Sequence, residues 1–199
     1  MTITDQAYQD HGYRLVIVDR DGVLNYDSDH YIKSAHEWQA IPGSFEALAR
    51  WYQSGILLGM ASNQSGVVRG LFSQSDLDHM HAKLCQTLEN LGGRFHYAHY
   101  CLDDPDQPTD FRKPGPGMLL EALRVCQIPR DQALFIGDSY TDYQAAQRAG
   151  IDFALVQTGK GARTLSHHPA LLRLVPVFGS LDQVSLQACW AFSQEQKIK

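Results

Sequence analysis

Short apolar runs alternate along this chain with stretches of helical spacing, and several of the runs stop abruptly at polar residues. Leu15 to Val18, Ile56 to Ala61, Phe95 to Tyr100, Ala133 to Gly137 and Phe153 to Gln157 read as buried strands. Between them lie Ser44 to Gln53, a long helix capped by Ser73, Met118 to Cys126 and Tyr140 to Ala149, with Gly55, Gly92-Gly93 and Gly150 among the stops. Parallel strands need a crossover, and the crossover helix must lie on the sheet, so this alternation predicts a sheet covered on both faces. The expected fold is α/β: a Rossmann-like doubly wound parallel sheet in three α/β/α layers. In the long helix Leu77, Met80, Leu84, Leu88 and Leu91 fall on one face, the predicted core side. Past Gly159-Lys160-Gly161 the pattern weakens, until Pro176 to Phe178 and Leu181 to Phe192 suggest an edge strand and a closing helix. One domain over 1–199 is expected, with its core at about 13–160 and the edge strand and helix at about 175–193. The first dozen residues and the last five are expected to fray.

With 199 residues, 44% of them hydrophobic, the chain can bury a full core. A net charge of −5 gives no basic field, which excludes nucleic acid as main partner. No apolar run approaches the roughly 20 residues of a membrane span. The polar start MTITDQAYQDHGYR lacks the apolar segment of a signal peptide. A cytoplasmic monomer acting on a small molecule is expected, away from membranes. Cys85, Cys101, Cys126 and Cys189 are scattered and form no C-x-x-C pair, so they read as reduced thiols. His79 and His81, two apart on a helix, do not share a face, and His167-His168 reads as the cap of a polar loop.

In open sheets of this kind, ligands sit beyond the carboxyl ends of the strands. Four predicted strands lead into polar residues: Asp19-Arg20-Asp21, Ser62-Asn63-Gln64, Arg112-Lys113 and Asp138-Ser139. Converging in one crevice, they suit phosphoryl transfer. A carboxylate can attack phosphorus, splitting a hard displacement into two easier steps, and Asp19 is placed to do so. Attacking carboxylate and phosphate are both negative, so a hard divalent cation is needed. Magnesium suits Asp19 and Asp138, completed by the backbone carbonyl of Asp21. A turn at Gly22 leaves the Asp21 carboxyl near the leaving oxygen, as general acid and later as base for water. Lys113 brings positive charge to the transferring group, and Ser62 donates to its oxygens.

The pieces VDRDGVLN with Asp19 and Asp21, ASNQSG with Ser62, KPGPGM with Lys113, and GDSYTD with Asp138 and Asp142 occur in that order over 14–158. Together they resemble the haloacid dehalogenase superfamily, in its branch of aspartate-nucleophile phosphatases. The match sharpens toward the heptose bisphosphate and related histidinol phosphatases. It rests on DRDGVLN followed by Tyr31-Ile32, then IPG at 41–43, SNQSGVVRG at 62–70, FRKPGPGML at 111–119 and QTGKG at 157–161. That resemblance implies magnesium and a sugar bisphosphate, foremost D-glycero-D-manno-heptose 1,7-bisphosphate losing its 7-phosphate. It implies a substrate site lined by Asp27, His30, Tyr31, Asn63, Gln64 and Ser65, with Arg112 recognising the rest of the molecule and Arg69 a candidate for the second phosphate. Histidinol phosphate or another small metabolite is the alternative substrate. A receiver-like phosphoacceptor module shares the strand-end aspartate, magnesium and lysine but has no use for Asp21.

Two departures accompany the resemblance. Relatives in this branch often carry a zinc loop, a Cys-x-His pair after the third strand and a Cys-x-Cys ahead of Arg-Lys-Pro. Here Cys101 is followed by Leu102 and Asp103, while Thr109, Asp110 and Phe111 precede Arg112. One ligand of four remains, too few for a tetrahedral site, so zinc is not expected. The loop CLDDPDQPTDF must be held by prolines and packing instead. Ser139 also stands where a basic residue is common. The segments between motifs leave no room for a large cap domain, so the site should be open, with loops supplying selectivity.

Overall fold

The structure, a computed structural model, describes residues 12–198. Its strands are β1 (Leu15–Val18), β2 (Leu57–Asn63), β3 (Tyr97–Cys101), β4 (Ala133–Gly137), β5 (Asp152–Val156) and β6 (Val177–Phe178). They form one sheet in the order β3-β2-β1-β4-β5-β6, every neighbouring pair parallel. The helices are α1 (Ser44–Gln53), α2 (Gln74–Glu89), α3 (Gly117–Cys126), α4 (Tyr140–Ala149), α5 (Gly161–His167), α6 (Leu171–Leu174) and α7 (Leu186–Ile198).

Strand β1 shows why the sheet must be covered twice. All four of its residues are buried, and they alternate between two cores. Val16 and Val18 join Leu48, Leu77 and Leu84 of α1 and α2, while Leu15 and Ile17 join Leu119, Ala122 and Ala146 of α3 and α4. This is the expected three-layer architecture. Leu15 is fully buried between Leu57 and Ala133, and truncating it to alanine would cost about 2–5 kcal/mol.

The strand order reverses between β1 and β4, which opens a crevice at their carboxyl ends. Asp19 and Asp138 are the first residues past those two strands. Helix α4 starts almost at once because Ser139 caps it, its hydroxyl accepting from the Asp142 amide while the Asp142 carboxylate accepts from the Ser139 amide. The segment 19–43 carries isolated bridges, Asp21 to Asn25 and Asn25 to Ala40, rather than a cap domain. Among the described residues no helix is long and apolar enough to cross a membrane.

Several boundaries differ from those predicted. Ser62 and Asn63 lie within β2 rather than after it, and β3 begins at Tyr97. Leu91 is exposed instead of packed, because α2 ends at Glu89 and the chain turns at Gly92 with φ of 79°. Helices α5 and α6 were not foreseen: the α5 sequence GARTLSH buries only Gly161 and Thr164, too few for a periodic signal. His167 belongs to its last turn, and His168, its C-cap, stacks on Tyr140. The closing helix begins at Leu186 and runs through Ile198, past the point where fraying was expected, with a short 3-10 turn at Leu181–Gln183 before it. The expected frayed start, 1–11, and residue 199 lie outside the described residues. All four cysteines are free.

Candidate active site

A cavity of about 520 Å³ opens at the carboxyl ends of β1, β2 and β4. At its floor Asp19 accepts, through Oδ1, the Arg20 amide at 2.7 Å and Lys113 Nζ at 2.9 Å. No hydrogen bond or ion pair of the described residues uses its Oδ2. Lys113 is buried: its Nζ donates to the Ala61 carbonyl at 2.9 Å and forms ion pairs with Asp19 and with Asp142 Oδ1 at 2.7 Å. Asn63, at the end of β2, fixes the Lys113 backbone: its amide donates to the Lys113 carbonyl at 2.9 Å and its oxygen accepts the Lys113 amide at 3.1 Å. Asp142 Oδ2 accepts from the Ser139 amide and hydroxyl.

Carboxylate oxygens of Asp19, Asp138 and Asp142 lie within 4.8 Å of one another, with Lys113 as the cation between the first and the last. Burial raises Asp19 to about 6, against the opposing pull of Lys113, and Asp142 adds to the rise. Burial also pushes Asp138 well above the usual range, with Asp142 and Asp19 adding their repulsion. Crowded, hard oxygen donors held partly against their own ionisation suit magnesium. Asp142 Oδ2 is taken by Ser139 and its Oδ1, which has no hydrogen-bond partner, faces Lys113 in an ion pair, so the donor atoms clear of a cation belong to Asp19 and Asp138. Two glycines press on Asp138 from the far side. Gly22 (φ 80°) and Gly159 (φ 56°) take backbone conformations that favour glycine, and a Cβ on either would land on Asp138 Oδ2.

Asp21 sits in a different environment. Oδ1 accepts from Arg20 Nε at 3.0 Å and Asn25 Nδ2 at 2.8 Å, and Oδ2 from Arg20 Nη2 at 2.9 Å and Gln64 Nε2 at 2.7 Å. Burial would push this carboxyl up, but the Arg20 guanidinium and the two amides outweigh it and hold Asp21 low. The ionised form so favoured suits a base. Carrying a proton requires release of one donor, and Gln64 also reaches Ser62 Oγ at 3.2 Å, a second partner to turn to.

The predicted rim residues divide. Asp27, Tyr31, Asn63, Gln64, Ser65 and Arg112 line the cavity with Ser62. His30 is exposed and does not line it, with its amide on Ser28 Oγ in the same turn. Arg69 is also exposed outside the lining, but its Nη1 donates to Tyr31 Oη at 2.8 Å, which holds the phenol below its usual range. The lining also includes Asp142, Tyr140, Thr141 and Lys160, which the sequence reading does not place in the site. Ser139-x-x-Asp142 reads as a helix cap, which accounts for one Asp142 oxygen and hides the other. Lys160 pairs with Asp27 at 3.0 Å, a contact between segments far apart in sequence.

A family model described as HAD-hydrolase-like matches residues 110–183. The D-glycero-beta-D-manno-heptose-1,7-bisphosphate 7-phosphatase of Pseudomonas putida is 45% identical over 152 residues, 76% of this chain and 87% of the relative. That of Pseudomonas aeruginosa is 44% identical over 151 residues, 76% and 85% of the two chains. The crystal structure of the D,D-heptose 1,7-bisphosphate phosphatase from B. bronchiseptica, complexed with magnesium and phosphate, superposes with a TM-score of 0.81 at 37% identity, covering 94% of this chain and 99% of that one. Sheet order, strand-end carboxylates and these relatives agree: the chain belongs to the haloacid dehalogenase-like hydrolases, in the branch of the heptose bisphosphate phosphatases.

Proposed function

We propose that this chain is a magnesium-dependent phosphatase that removes the 7-phosphate of D-glycero-β-D-manno-heptose 1,7-bisphosphate by way of an aspartyl-phosphate on Asp19. The observation that carries the reading is the Asp19 carboxylate, anchored through Oδ1 by Lys113 and the Arg20 amide, with Oδ2 unbonded beside Asp138. Asp19 Oδ2 attacks phosphorus and the bond from phosphorus to the sugar oxygen breaks. Asp21 delivers a proton to that oxygen, then takes one from the water that hydrolyses the aspartyl-phosphate, releasing inorganic phosphate. Lys113 and the Ser62 hydroxyl stabilise charge on the transferring group. Magnesium, held by Asp19, Asp138 and the Asp21 backbone carbonyl, supplies the positive charge that lets a phosphate approach a carboxylate.

The retained phosphate falls to Arg112 and Arg69. Arg112 donates to a backbone carbonyl and Arg69 to a phenol, so both contacts leave the guanidinium charge uncancelled, and both charges act on Tyr31. The test is a panel of heptose bisphosphate, heptose monophosphate, hexose bisphosphate and histidinol phosphate, assayed with magnesium by kcat/KM. The heptose bisphosphate is expected to lead. Preference for histidinol phosphate would replace this substrate while keeping the chemistry.

Residues 1–199 are read here as one catalytic domain, since strands of a single sheet supply the site. Free cysteines suit the reducing cytoplasm, where we place a monomeric enzyme. Light scattering of the purified chain checks the mass.

A further inference from the structure

Arg112 is held at both ends by one clasp in the loop that leads to it. Its guanidinium Nη1 donates to the Asp103 carbonyl at 3.1 Å, and its own amide donates to the Thr109 carbonyl at 3.2 Å. Asp103 and Thr109 are themselves joined. Asp103 Oδ2 accepts both the Thr109 amide at 2.7 Å and the Thr109 hydroxyl at 2.6 Å. Thr109 Oγ1 also accepts the Phe111 amide at 3.2 Å. The Phe111 ring lies on His99 of β3 at 5.0 Å and 29°, and His99 in turn meets Glu121 of α3 at 3.3 Å, which ties the loop to the scaffold. The side chain of Arg112 thus has its direction fixed through a backbone carbonyl, a contact that uses one donor of the guanidinium fork and leaves its charge available.

We infer that Asp103 and Thr109 are positioning residues that aim Arg112 at the phosphate the enzyme retains, and so set its preference for a bisphosphate over a monophosphate. The inference rests on the proposed function, in which Arg112 receives that phosphate. Neither Asp103 nor Thr109 lines the cavity, so their influence on the reaction passes through Arg112. A single Asp103 carboxylate oxygen takes both Thr109 donors, and removing the hydroxyl takes away one donor while leaving the amide.

The experiment compares the wild-type chain with Thr109→Val, Thr109→Ser and Asp103→Asn on three substrates with magnesium: the heptose 1,7-bisphosphate, the heptose 7-phosphate and p-nitrophenyl phosphate. Thr109→Val is expected to raise KM for the bisphosphate about three- to tenfold, the effect of one hydrogen bond, with kcat held within about twofold. KM for the two monophosphates should stay at the wild-type value, and Thr109→Ser, which keeps both donors, should restore the bisphosphate KM. A wild-type enzyme selective for the bisphosphate whose selectivity survives both Thr109→Val and Asp103→Asn overturns the inference and leaves the proposed function standing. Equal losses on all three substrates overturn it too, by assigning the clasp a general structural role. A wild-type enzyme that hydrolyses the 7-phosphate as well as the bisphosphate defeats the substrate reading itself, and the inference with it.

Discussion

The floor of the cavity and its rim are built on opposite physical terms. On the floor, Asp19, Lys113, Asp138 and Asp142 are buried; Asp19 and Asp138 directly follow strands β1 and β4, Lys113 joins Asp19 to Asp142 by ion pairs, and the three carboxylates crowd within 4.8 Å. On the rim, Tyr31, Arg69, Asp29 and the Asp103–Thr109 clasp rest on a few contacts near solvent. Low dielectric makes each floor contact strong and each missing partner costly, while screening makes rim pairs worth little apiece. The reacting groups are therefore held rigidly by the floor, and contacts to the rest of the substrate are left to the rim. Floor changes should appear in kcat and stability, rim changes in KM.

The largest expected effects test the floor. Asp19→Asn should lower kcat by at least about a thousandfold while circular dichroism stays native, since the amide keeps the shape and loses the nucleophile. Residual turnover near wild type would remove Asp19 from its role. Lys113→Met should cost comparable activity and also about 3–5 kcal/mol of stability by chemical denaturation, because it strands buried carboxylates without their cation. An equally stable Lys113→Met protein would show that the network is not the buried electrostatic unit described here.

Next in size is the glycine cradle of Asp138. Gly159→Ala places a methyl group against Asp138 Oδ2 at a φ of 56°, so it should displace the carboxylate. Activity at limiting magnesium is expected to fall about a hundredfold, with partial recovery at high magnesium. An unchanged magnesium requirement would mean that Asp138 tolerates displacement.

The floor also predicts a pH dependence of sign opposite to that of ordinary ion-paired carboxylates. Asp19, raised to about 6 from an unfolded value of 3.8, and Asp138, raised well above it, bind protons more tightly folded than unfolded. Their contribution is fully present below the unfolded value and is lost as pH rises through the folded one. Asp21, held low, acts in reverse: its contribution is present above its unfolded value and lost as pH falls through its lowered folded one. Between about pH 4 and 7, metal-free protein should therefore lose stability from this pair as pH rises. Magnesium binds the ionised pair, so it should raise Tm by several degrees at about pH 7.5 and by little at about pH 5. Calorimetry of the chelated and loaded protein measures both, and equal shifts at the two pH values would sink the assignment.

The same contrast explains what could be read in advance. Strands β1 and β4 and helix α4 are legible because burial on two faces leaves unbroken apolar runs and Ser139 and Gly150 mark the helix ends. The strand-end acids are legible because a charged residue directly after such a run needs a reason. Asp142 is half legible: its capping role shows in the spacing, its grip on Lys113 only in three dimensions. Lys160 and the Asp103–Thr109 clasp leave no periodic trace, since the first pairs with a distant segment and the second closes within a single irregular loop. The loop that keeps one of the four zinc-ligand positions illustrates the limit. Prolines and packing were the expected restraint, and the contacts that close it are a carboxylate, a hydroxyl and a ring stack.

The smallest effect belongs to the pair at the cavity mouth. Tyr31 has a φ of 65°, uncommon for a residue with a side chain, and its hydroxyl accepts from Arg69. If Arg69 meets the retained phosphate from this position, Arg69→Gln should raise KM for the bisphosphate a few fold with kcat unchanged, and Tyr31→Phe should do less, because it frees the guanidinium without removing it. The double variant should then match Arg69→Gln alone, since the phenol acts only by holding the arginine. Additive losses in that cycle would mean that the Tyr31 hydroxyl touches substrate directly, which would move this residue from the support of the rim to its binding surface.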